Sequence, residues 1–153
     1  MSNRTLEVHG EEAMMILGAR IAELIRQAPG FLVFLHGDLG AGKTTLVRGL
    51  IRGLGHTGAV KSPTYTIVEP YELPGLDVYH FDLYRLSDPE ELEFIGARDY
   101  LESGALCLVE WPEKGQGMLP EPDLMIEIEH LDDSRRLHLT ASPGPGQDLI
   151  ASL

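Results

Sequence analysis

Residues 37–44, Gly37-Asp38-Leu39-Gly40-Ala41-Gly42-Lys43-Thr44, match the P-loop pattern G-x-x-x-x-G-K-[ST] in full, and their flanks dictate how the chain must enter and leave them. The apolar run Phe31-Leu32-Val33-Phe34-Leu35 comes just before. It has strand length and no polar alternation, as expected of a central strand buried on both faces. Lys43 to Leu54 then alternates polar and apolar residues with a helical period, and Gly53 and Gly55 supply the stop. A buried strand, a glycine-rich turn and a helix must therefore follow one another within about 25 residues.

The residue types in that turn have separate chemical reasons. Glycines let successive backbone N–H groups face inward around a phosphate, along a path a Cβ would obstruct. A helix that begins near Lys43 adds its unpaired N–H groups and the positive end of its dipole. Lys43 is placed to bridge β- and γ-phosphates, and the Thr44 hydroxyl to ligate Mg²⁺. The competing reading is a glycine-rich turn with a chance lysine.

At 153 residues the chain suits a single domain over 1–153, able to bury about 70% of the surface its unfolded form exposes. Ser142-Pro143-Gly144-Pro145-Gly146 reads as the close of that domain, with 142–153 as a flexible tail. No basic start followed by a long apolar core occurs in residues 1–30, and no apolar run reaches membrane length, which predicts a cytoplasmic protein with no membrane contact. Cys107 is the only cysteine, so disulfides and thiolate metal sites are excluded and a small core residue is expected. The net charge of −12 repels a nucleic-acid backbone; RNA, if involved, would be held by a basic partner.

The rest of the chain alternates strand and helix signals. Thr5 to Val8 reads as an edge strand, and Glu11 to Gln27 as an amphipathic helix with acids in its first turn, ended by Pro29-Gly30. The segment that becomes β-branched and aromatic before residue 70, the turn Leu73-Pro74-Gly75 and the run Asp77 to Asp82 form a predicted hairpin. Asp88-Pro89-Glu90-Glu91 opens a helix through Ile95, and Asp99 to Glu102 adds a further turn. Ala105 to Glu110 reads as a second buried strand. Asp123 to His130 and Arg135 to Ala141 pair around Asp132-Asp133-Ser134.

Two acids can complete a nucleotide site. Asp82 ends a predicted strand after the motif helix, where a Walker-B carboxylate belongs; the alternatives are a solvated strand end or a helix cap. Glu110 ends another strand beside Trp111, and a carboxylate partly desolvated by indole serves as a water-activating base or a metal ligand. Asp38 is the alternative to Glu110 for positioning water. Ser62-Pro63-Thr64-Tyr65 occupies a loop position that in other nucleotide hydrolases senses the γ-phosphate. The six histidines show no metal-ligand spacing on a helix and read as structural or solvated.

Guanine recognition through N-K-x-D is closed, because Asn3 is the only asparagine, and adenine is favoured. An arginine-rich kinase lid is also missing, since Arg85, Arg98, Arg135 and Arg136 are dispersed. The motifs Gly-Asp-Leu-Gly-Ala-Gly-Lys-Thr-Thr at 37–45, Ser-Pro-Thr-Tyr at 62–65, His-Phe-Asp-Leu-Tyr-Arg at 80–85 and Val-Glu-Trp-Pro-Glu at 109–113 together resemble the TsaE (YjeE) family over about residues 5–141.

That resemblance implies a cytoplasmic ATPase of tRNA modification, with weak intrinsic turnover. It would work with TsaB- and TsaD-like subunits that install N6-threonylcarbamoyladenosine at position 37 of tRNAs reading codons that begin with A, touching tRNA only through the complex. The implied cofactors are ATP and Mg²⁺. The implied fold is an α/β P-loop NTPase domain whose parallel core sheet is extended by antiparallel strands, with helices on both faces. By matching position, Lys43, Asp82 and Glu110 are catalytic, and Thr44, Glu110 and Asp82 hold the metal. Gly37, Asp38, Leu39, Gly40, Ala41, Gly42, Lys43, Thr44 and Thr45 cradle the nucleotide, joined by Glu11, Thr64, Tyr65, Trp111, Ser134 and Arg135. Met14 departs from the threonine common in the family. Two other readings of the residues stay open: a phosphotransferase, and a nucleotide-gated interaction module.

Overall fold

A computed structural model describes every residue except Met1, Gln27, Pro29, Leu39 and Thr64. Its strands are β1 (Ser2–Val8), β2 (Leu32–His36), β3 (Val68–Leu73), β4 (Leu76–Asp82), β5 (Leu106–Glu110), β6 (Leu124–His130) and β7 (Arg135–Ala141). The helices are α1 (Glu11–Ile25), α2 (Lys43–Gly53), α3 (Glu91–Phe94), α4 (Ala97–Glu102) and α5 (Pro145–Ser152). A 3₁₀ turn follows β5 at Pro112–Gly115.

All seven strands form one sheet in the order β1-β7-β6-β2-β5-β4-β3. β6, β2, β5 and β4 run parallel, so their carboxyl ends share one edge. β7 and β1 continue the sheet antiparallel on one flank and β3 on the other. This is the expected parallel core with antiparallel extensions. β2, at its centre, is apolar on both sides because both sides are covered.

Alternation along the strands divides the core in two. Val33 and Leu35 of β2, with Leu106 and Leu108 of β5, pack with Ile21, Ile25, Leu46 and Leu50 of α1 and α2. Leu32 and Phe34, with Cys107 and Val109, pack with Leu92 and Ala97 of α3 and α4. Helices therefore cover both faces. α1 and α2 approach closely because Gly18 faces α2: a Cβ there would lie 2.5 Å from the Leu46 carbonyl oxygen. Cys107 is buried as expected, and burial pushes its thiol up to about 12. Among the described residues no helix is long and apolar enough to cross a membrane.

The carboxyl end departs from the sequence expectation. Residues 142–153 were expected to be a flexible tail, but they carry α5, with Gly146, Leu149 and Ile150 buried. Pro145 sits in the first turn of that helix, where its missing N–H costs nothing, so the proline starts the element rather than ending the fold. Arg20 donates to the Ser152 carbonyl at 2.9 Å, and Arg4 donates to that of Leu153, tying down the helix end. The helix expected through Ile95 stops at Phe94. Leu92 is its only buried residue, and Gly96, at φ 73°, turns the chain into α4.

Candidate functional site

The parallel strands fix where chemistry can occur. On the α2 face, β4 presents Val78, His80 and Asp82 in alternation, and β5 presents Leu106, Leu108 and Glu110. Asp82 and Glu110 are register partners at the last rung. β2 ends at the same edge, and the chain turns there through the glycine-rich motif into α2. Gly40 at φ 81° and Gly42 at φ 112° hold left-handed conformations that a side chain would oppose. The last rung and the motif enclose a cavity of about 330 Å³. It is lined by Gly40, Gly42, Lys43, Thr44 and Thr45, and facing them by Ser62, Asp82, Glu110 and Trp111.

The charges of this cavity are withdrawn from water. Lys43, Asp82 and Glu110 are 5%, 7% and 4% exposed. Desolvation pushes the Lys43 pKa down, opposed by the nearby carboxylates of Glu110, Asp82, Glu113 and Asp38, in that order. Its ammonium donates to the Gly37 carbonyl and lies 3.9 Å from the centre of the Trp111 ring, a cation–π contact. Asp82 accepts the Tyr84 N–H at 3.0 Å through Oδ1, while its own N–H donates to the Ile67 carbonyl at 2.8 Å. It thus shapes the local turn and also lines the cavity; it caps no helix, since the next one starts at Glu91, and it is buried rather than solvated.

Trp111 leaves β5 in a left-handed conformation, φ 57° and ψ 50°. Such a conformation costs an L-residue roughly 1–2 kcal/mol. Its N–H still donates to the Leu35 carbonyl at 3.3 Å, and its ring stacks at a tilt on Tyr84, with centroids 5.0 Å apart.

A second pocket of about 470 Å³ lies across the motif from the first. Glu11, Met14 and Arg48 face Ser134 and Arg135 over Gly42, Thr44 and Thr45. The opening of α1 and the last hairpin therefore meet, although they are far apart in sequence. Arg48 pairs with Glu11 at 3.4 Å. Ser134 donates its hydroxyl to Glu7 at 2.9 Å, and Arg135 Nε donates to the Ala41 carbonyl at 3.0 Å. These last two side chains therefore brace the hairpin and the motif loop. Met14 takes up space beside the motif, its Cε 3.1 Å from where a Cβ on Gly42 would sit.

Not all the expected residues converge. Gly37, Asp38 and Ala41 lie toward β6, in a separate cavity of about 480 Å³ that shares Trp111. Tyr65 is 82% exposed, with Arg85 4.5 Å over its ring, and does not line the cavity around Lys43; its neighbour Ser62 does. Leu39 and Thr64 lie outside the described residues.

His80, which the sequence groups with the other histidines as structural or solvated, is buried against a carboxylate of the cavity. Its Nε2 lies 2.6 Å from Glu110 Oε2, and the residue is 1% exposed. The spacing His80-x-Asp82 carries the signal, because residues two apart on a strand share a face.

Comparison with known proteins follows the same residues. Positions 8–138 match the family described as threonylcarbamoyl adenosine biosynthesis protein TsaE. The chain is 49% identical over 155 residues to the "tRNA threonylcarbamoyladenosine biosynthesis protein TsaE" of Haemophilus influenzae, spanning 99% of this chain and 98% of that one. The Bacillus subtilis protein of the same description is 40% identical over 139 residues, spanning 90% and 84%. Among solved structures, the crystal structure of YdiB from Bacillus subtilis matches with a TM-score of 0.82 and 31% identity, covering 99% of this chain and 93% of that one.

Proposed function

This chain belongs to the TsaE family of tRNA threonylcarbamoyladenosine biosynthesis, and from that premise we propose that it serves the pathway as a Mg²⁺-dependent ATPase. In this reading it is an accessory subunit. It acts with TsaB- and TsaD-like partners on a complex that modifies position 37 of tRNA, turning over slowly alone and faster with them. The observation that carries the reading is the meeting of Lys43, Thr44, Asp82 and Glu110 around one cavity at the amino end of α2.

Each group has work to do there. The first N–H groups of α2 have no partners within the helix and favour an anion. Lys43 sits in a desolvated place, where a charge acts on phosphate oxygens more strongly than in water. To reach them it leaves the Gly37 carbonyl and the Trp111 face. The second pocket, between α1 and the last hairpin, receives the adenosine.

A hydroxyl and two carboxylates are hard oxygen donors that fit Mg²⁺. Among the described residues no three His, Cys, Asp or Glu side chains form a ready-made cage. That suits an ion that usually takes one or two carboxylates and fills its shell with water and phosphate oxygens. Mg²⁺ held by Thr44, Asp82 and Glu110 would supply charge neutralisation for the phosphate oxygens. Of the two candidates for orienting water, Glu110 lines the cavity with Lys43 and Thr44, whereas Asp38 lies in the cavity toward β6; this favours Glu110. The net charge of −12 is consistent with tRNA being held by the partners.

The test is phosphate release from ATP by the purified chain, alone and with its TsaB- and TsaD-like partners. Slow release, stimulation by the partners and its loss in a folded Lys43→Ala variant are expected. A phosphorylated product without free phosphate would point to a phosphotransferase. Repeated rounds of tRNA modification sustained by Lys43→Ala would contradict the ATPase role.

A further inference from the structure

Glu110 is too deeply buried to be explained by its own strand. A carboxylate 4% exposed is unfavourable unless something satisfies it. Lys43 contributes a favourable field, yet its ammonium is spent on the Gly37 carbonyl and the Trp111 ring. The group in contact is His80, 2.6 Å from Oε2.

The proton can be placed. His80 Nδ1 is buried with no hydrogen-bond partner among the described residues. A proton there would be a buried donor with no acceptor, and in that tautomer Nε2 would face a carboxylate oxygen lone pair to lone pair. The imidazole therefore carries its proton on Nε2 and donates it to Glu110. Burial leaves the ring little room to turn: His80 is 1% exposed, on a strand held between β3 and β5.

We propose that His80 is the positioning residue for Glu110. Its Nε2–H engages Oε2, so that Oε1 is presented to the cavity in a single orientation beside Thr44 and Asp82. The need is local: Asp82 and Glu110 are register partners, and two carboxylates at adjacent strand ends repel and would splay without a fixed donor. This role rests on the reading of the cavity as a Mg²⁺–nucleotide site.

The experiment is calorimetric titration of the full chain with adenylyl imidodiphosphate, in EDTA and in Mg²⁺, together with steady-state ATP turnover. The unsubstituted protein binds more tightly in Mg²⁺. His80→Leu is expected to lose roughly 10–100-fold of that Mg²⁺-linked gain, as removal of a ligand's hydrogen-bond partner does elsewhere, with affinity in EDTA unchanged. His80→Gln, whose amide N–H has comparable reach, recovers part of the gain, and in a Glu110→Gln background His80→Leu adds nothing further. If His80→Leu fails to fold, His80→Asn carries the same expectation, since its shorter amide falls short of Glu110.

Full retention of the Mg²⁺-linked gain in His80→Leu would overturn the proposal, as would an equal loss of affinity in EDTA, which marks general loosening. If the unsubstituted protein binds no nucleotide, the ATPase reading falls and this role with it, an outcome distinct from failure of the His80 role alone.

Discussion

At the last rungs of β4 and β5 the two faces of the sheet part company. Toward α2 they present His80, Asp82 and Glu110, all buried and all polar; toward α3 and α4 they present Phe81 and Val109, both fully buried and apolar. The two sets interleave residue by residue along the same backbone, so a single peptide step separates a group that holds the fold from a group suited to chemistry. At these rungs the α3 and α4 side gains stability from burial, while the α2 side, apolar at Val78, Leu106 and Leu108, gives some up to keep charges in a dry place. Parallel pairing is what brings the polar ends together.

The largest test of that contrast is Phe81→Ala. Phe81 is 0% exposed and meets Tyr100 edge-on at 6.1 Å, and truncation is expected to cost about 3–5 kcal/mol in urea unfolding. Glu110→Gln inverts the pattern. ATP turnover is expected to fall by roughly 10²–10³, about 2.7–4 kcal/mol in the barrier, in line with losing one preorganised charged group, while unfolding midpoints hold or rise. Arg135→Met removes the donor to the Ala41 carbonyl and should weaken nucleotide binding by about 1 kcal/mol, read as a lower affinity in calorimetry with turnover at saturation preserved.

The smallest effect concerns Cys107, on the apolar face. Its folded pKa is raised to about 12 from 9.0, so the unfolded chain gives up the proton first. Its contribution to stability is complete below pH 9 and is lost as pH climbs through about 12. Labelling by Ellman's reagent at pH 8 should therefore wait for unfolding. Fast labelling of the native protein would contradict its burial.

Much of this was legible in the residues because the signals were local. The motif at 37–44 with its flanks places β2 and α2, and strand-end acids name Asp82 and Glu110 before any pairing is known. What was not legible depends on register and on contacts distant in sequence. A single histidine in a strand reads as structural or solvated until β4 is set beside β5, and only then does His80 meet Glu110. Ser134 and Arg135 fall in the right hairpin, but their engagement with Glu7 and with the Ala41 carbonyl follows from chain crossings no window reveals. The left-handed Trp111 has no glycine to announce it. α5 escaped because Pro and Gly at 143–146 read as an ending, while its docking on β1 and β7 is a tertiary fact.

At the last rungs of β4 and β5, and not along their whole length, stability and chemistry are divided between the two faces of the sheet. The most direct measurement is the rise in melting temperature on saturation with adenylyl imidodiphosphate and Mg²⁺, compared for the unsubstituted chain, Phe81→Leu and Glu110→Gln. Phe81→Leu is expected to melt lower without ligand yet gain the same increment, whereas Glu110→Gln starts at or above the unsubstituted protein and gains much less. Equal increments in all three, or an increment lost in Phe81→Leu and kept in Glu110→Gln, would contradict that division.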